Sequence, residues 1–105
     1  MTLYRLTLIL ALAATAADAA NPAYEAACER VATAKKIEDA AFIPTCICAY
    51  GVIEAELGTA FTARYLSWET GQASLAEILP EGMTEDGFFE VIGSIPEEKW
   101  AACAP

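Results

Sequence analysis

The stretch TCICAYGVIEAELG, from Thr45 to Gly58, decides the fold. Cys46, Tyr50, Ile53 and Leu57 recur at the spacing of one helix face. Cys48, Val52 and Ala55 make a second apolar line on a different side. Polar residues, mainly Thr45, Glu54 and Glu56, take up little of the circumference. A helix that is apolar on most sides is a buried, central one. Pro44 and Thr45 open it, and Gly58 is a natural residue to stop it. The rest of the chain should therefore pack around a helix running from Thr45 to Leu57.

Working outward, the flanking segments also read as short helices. Asn21-Pro22 is an N-cap residue followed by a first-turn proline, ahead of a stripe of Tyr24, Ala27, Cys28, Val31 and Ala34. Lys35 and Lys36 fall in the last turn, where cations suit the helix dipole. Ile37 to Ile43 is a connection. After Gly58, a helix from Thr59 to about Glu69 carries Phe61, Tyr65 and Trp68 on one face. Ser74-Leu75-Ala76-Glu77 is a capping-box pattern, and Pro80-Glu81-Gly82 is a turn. Thr84 caps a segment with Phe88, Val91, Ile92 and Ile95. Ser94-Ile95-Pro96-Glu97 reads as a second capping box, opening a last helix with Trp100 and Cys103. Long alternating runs are missing, so the fold class expected is all-α: a small bundle of four to six short helices.

The N-terminus sets the compartment. Arg5 is the sole charge before Asp18, and Leu6 to Ala17 is an uncharged run. Such a run matches the apolar region of a secretory signal and falls short of the roughly 20 residues that span a bilayer. Ala17-Asp18-Ala19 is a small-x-small cleavage site. We expect residues 1–19 to be a signal peptide cut after Ala19, with the cut after Ala16 as second choice. Residues 20–105 would then be the exported domain, periplasmic or extracellular, with no membrane span after cleavage. Cleavage removes one base, Arg5, and one acid, Asp18, so the net charge stays −9. Such a surface repels nucleic acid phosphates and anionic lipid headgroups, so no nucleic-acid partner is expected.

The four cysteines, Cys28, Cys46, Cys48 and Cys103, all lie in the exported part. An even count in a small exported chain reads as a two-disulfide framework. Cys46 and Cys48 point about 200° apart on a helix, so they cannot bond each other. One should reach Cys28 and the other Cys103. In an antiparallel hairpin Cys48 stands nearer the level of Cys28, so the pairing expected is Cys28–Cys48 with Cys46–Cys103, ahead of the swapped pairing. A metal thiolate pair and a redox-active C-x-C bond are the competing readings of Cys46-Ile47-Cys48.

Other chemistry is narrowed by absence. The sequence contains no histidine, which removes Ser-His-Asp and Cys-His arrangements and histidine metal sites. It has no Gly-rich phosphate loop and no C-x-x-C. Glu54 and Glu56 point to different helix sides, while Glu85, Asp86, Glu97 and Glu98 fall in first helical turns, where acids offset the dipole. Glu54 lies beside the Tyr50 stripe. Partial burial would raise its pKa, although a side chain snorkelling at the edge is the simpler expectation. No catalytic, cofactor-binding or metal-ligating residue is assigned. The function expected is a non-enzymatic exported binding or accessory module for a protein or a small apolar ligand. In size, acidity and helical content the chain is similar to small periplasmic acid-stress chaperones, a likeness of class that implies an acid-switched holdase as the alternative. A thiol redox or metal-handling protein acting through Cys46 and Cys48 is the third reading.

Overall fold

The computed structural model describes residues 21–104. The expected signal peptide and its cleavage site lie outside the described residues. Within them the chain forms six helices: α1 (Pro22–Lys35), α2 (Phe42–Leu57), α3 (Thr59–Glu69), α4 (Leu75–Ile78), α5 (Glu85–Gly93) and α6 (Glu97–Ala101). The all-α bundle tied by two disulfides is therefore what the chain adopts.

The helix starts follow from their caps. Asn21 Oδ1 accepts from the backbone N–H groups of Ala23 and Tyr24 at 3.1 and 3.3 Å, satisfying donors that the first turn leaves free. Ser74 and Glu77 form the reciprocal capping box, and Thr84 Oγ1 accepts from the Gly87 N–H at 3.0 Å. The second expected box does not form. Ser94 ends α5, and its hydroxyl donates to the Val91 carbonyl at 2.6 Å, so it has left the entry of α6 to Pro96.

The central helix begins earlier than the proline suggests. The Thr45 N–H donates to the Ala41 carbonyl at 3.2 Å, and α2 starts at Phe42. Pro44 sits in the first turn, where a missing N–H costs nothing. Asp39 prepares the entry: Oδ1 accepts from the Ala41 N–H and its carbonyl accepts from the Phe42 N–H. At the other end, Gly58 with φ +93° ends α2 and starts α3, a corner of one residue that a side chain would strain.

α2 packs against α1, α3 and α6, and α4 folds back on α3. Arg64 of α3 donates to the Ile78 carbonyl of α4 at 2.8 Å. Buried Tyr24, Ala27, Cys28 and Val31 form the inner face of α1, whereas Ala34 is exposed. On α2 only Tyr50 and Ile53 are fully buried, because short neighbours cannot enclose a helix of 16 residues. Aromatic rings connect the layers. Tyr24 stacks on Tyr50 at 5.4 Å, Tyr50 meets Tyr65 edge-on at 6.1 Å, and Phe61 stacks on fully buried Phe88 at 4.6 Å.

Candidate functional site: a half-open apolar cleft

The cysteines fix the frame of the site. All four are bonded, as Cys28–Cys46 and Cys48–Cys103, with Cα separations of 5.9 and 5.6 Å. This corrects the expected pairing of Cys28 with Cys48 and Cys46 with Cys103. Level along the hairpin was the wrong criterion, and rotation about the helix axis decides. Cys46 is one turn before Tyr50, and Tyr50 is the residue stacked on Tyr24 of α1. The face carrying Cys46 therefore points at Cys28, while Cys48 points away, towards α6. The separation of Cys46 and Cys48 onto opposite sides stands. Cys46 is bonded to α1 and Cys48 to Cys103, just past the end of α6, and among the described residues no cluster of three metal-ligating side chains occurs.

Glu54 also differs from the raised pKa considered for it. Its Oε1 accepts from Tyr24 Oη at 2.6 Å and its Oε2 from Thr59 Oγ1 at 3.0 Å. These donors favour the charged form, the Tyr24 bond most, and hold the carboxyl below its usual range. Glu56, on another side of α2, lies 3.8 Å from Lys99 of α6.

Between the helices lies a half-open cleft of about 300 Å³. Val31 and Lys35 of α1, Ala49, Tyr50 and Ile53 of α2, and Tyr65 and Glu69 of α3 border it. Ile92 of α5 and Trp100 of α6 complete the wall. Gly58 turns α3 back beside α2, and Trp100 of α6, three residues before the disulfide-bonded Cys103, reaches the same cleft.

One polar cluster interrupts this lining. Glu69 Oε1 accepts from Tyr50 Oη, and Glu69 Oε2 accepts from Tyr65 Oη at 2.8 Å. Burial pushes both phenols above the ordinary tyrosine range, and the Glu69 charge adds to the shift. This cluster was not singled out from the sequence. The four-residue step from Tyr65 to Glu69 was a usable signal for half of it. The Tyr50 half depends on the corner at Gly58 and has no local signature.

No family model, curated protein or solved structure matches the chain.

Proposed function

We propose that this protein is an exported, non-enzymatic binding module that takes a small apolar ligand in the cleft bordered by α1, α2, α3, α5 and α6. The observation that carries this reading is the cleft itself, about 300 Å³ and walled mainly by aliphatic and aromatic side chains from five helices. It is more enclosed than two shallower apolar grooves of similar size, one beside Cys103 and one beside Glu29. Its volume falls at the lower end of small-molecule sites. Two disulfides tie α1 and the segment after α6 to α2, which lowers the ordering cost of binding. They are also compatible with an oxidising compartment, as export through the N-terminal apolar segment requires. The lack of histidine and the engagement of Glu69 by two phenols favour binding over catalysis.

Titration with N-phenylnaphthylamine, a neutral apolar fluorophore, tests the reading. Saturable binding at one site, lost in Ala49→Trp, is the expected result, because Ala49 borders the cleft and an indole there would fill it. Near-ultraviolet circular dichroism of the variant confirms its packing. Binding that does not saturate, or that survives the filled cleft in a folded variant, refutes the proposal.

A further inference from the structure

The acid in the cleft wall is held in place before any ligand arrives. Glu69 is the last residue of α3, and a tyrosine hydroxyl donates to each of its oxygens. Tyr50, Tyr65 and Glu69 all border the cleft. A carboxylate has about four acceptor positions. The two tyrosines use one on each oxygen, which leaves one on each for a further donor. Trp100, half-buried, supplies an aromatic ring beside the same space, and ring faces attract cations. The whole chain carries a net charge of −9, whose field draws cations and repels anions.

Resting on the ligand-binding reading above, we infer that the cleft takes an organic ammonium. Its apolar chain lies against Val31, Ile53 and Ile92, and its cationic nitrogen meets Glu69. A neutral apolar ligand binds there more weakly, because it strips water from the carboxylate without replacing it. An apolar carboxylate is the competing chemistry, since Lys35 also borders the cleft. Lys35 is exposed at the end of α1, where its alkyl stem can line the wall while the ammonium stays in water. A carboxylate head would have to settle beside Glu69 and against the charge of the whole protein.

Calorimetric titration of the whole protein with octylammonium, octanol and octanoate, at neutral pH and physiological salt, tests the assignment. Octylammonium should bind about tenfold more tightly than octanol, and octanoate most weakly. Glu69→Gln retains an acceptor for a tyrosine and should bring octylammonium down to the octanol level while octanol is unchanged. Glu81→Gln removes one charge at an exposed turn outside the cleft and should preserve the tenfold ratio. A ratio that survives Glu69→Gln, an equal loss in Glu81→Gln, or tightest binding by octanoate overturns the ammonium assignment and leaves the ligand cleft standing. Should Glu69→Gln not fold, the order of the three ligands on the unaltered protein decides. No saturable binding by any of the three overturns the cleft reading itself.

Discussion

Replacing Cys48 and Cys103 together by serine isolates what holds α6 in place. This helix has five residues and none of them is buried. A helix so short does not persist alone in water. Its non-covalent ties are weak. Lys99 and Glu56 are 3.8 Å apart with half of the Lys99 side chain exposed, a pair worth well under about 1 kcal/mol. Trp100 is only half-buried against the cleft. The bond itself closes a sequence separation of 55 residues, for which the chain-entropy model gives about 4 kcal/mol. If α6 stayed docked in the variant, the whole of that figure would be lost. If it undocks, the folded state regains chain freedom and the loss is smaller. We expect undocking, with a stability loss below about 3 kcal/mol. Urea unfolding gives the stability, and Trp100 emission in a Trp68→Phe background reports docking. A loss of the full 4 kcal/mol with unshifted Trp100 emission would refute the reasoning.

Three further outcomes are expected. Phe88→Ala should cost about 3–5 kcal/mol, because the ring is fully buried and stacked on Phe61, and a loss of less than about 1 kcal/mol in urea unfolding would contradict its core role. Tyr24, Tyr50 and Tyr65 all have raised pKa values, so their contribution is fully present below pH 10 and is lost as pH rises through the folded values. Phenolate absorbance should therefore appear together with loss of helical ellipticity, and independent titration near pH 10 in a folded protein would count against their burial. Glu54 has the opposite sign. Its lowered pKa gives stability that is present above the ordinary value of 4.5 and lost as pH falls through the folded value. The slope of stability against pH in the acid range should flatten in Glu54→Gln, and an unchanged slope would show that the Tyr24 and Thr59 bonds do not select the charged form.

Local features were legible in the sequence, and relations between distant helices were not. Asn21, Ser74 and Thr84 cap helices where their side-chain chemistry predicts, because a cap is settled within four residues. The Tyr50 stripe marked the inner face of α2 for the same reason. Ser94 failed because two helices compete for it, and the end of α5 prevailed over the start of α6. The disulfide pairing failed because it depends on how α2 is rotated against α1, which the Tyr24–Tyr50 stack reveals and spacing does not. Glu54 looked like a residue facing an apolar stripe. Its partners, Tyr24 and Thr59, come from other segments, and with them the sign of its pKa shift reverses. The Glu69 cluster was hidden in the same way, since Tyr50 approaches it only after the chain has turned at Gly58.

The two covalent rings, 28–46 and 48–103, are arranged in series along the chain and meet across Ile47 without overlapping. Rings in series need no threading. In a polypeptide that emerges into an oxidising compartment N-terminus first, Cys46 is the first thiol that Cys28 can meet. That encounter already gives the native bond. Cys48 then waits for Cys103, which follows 55 residues later. The alternating arrangement would have required Cys28 to pass over its nearest neighbour, or a mispaired bond to be undone by thiolate attack. In such a compartment the order of synthesis would match this pairing, and oxidation of each pair in turn would give both bonds without reshuffling.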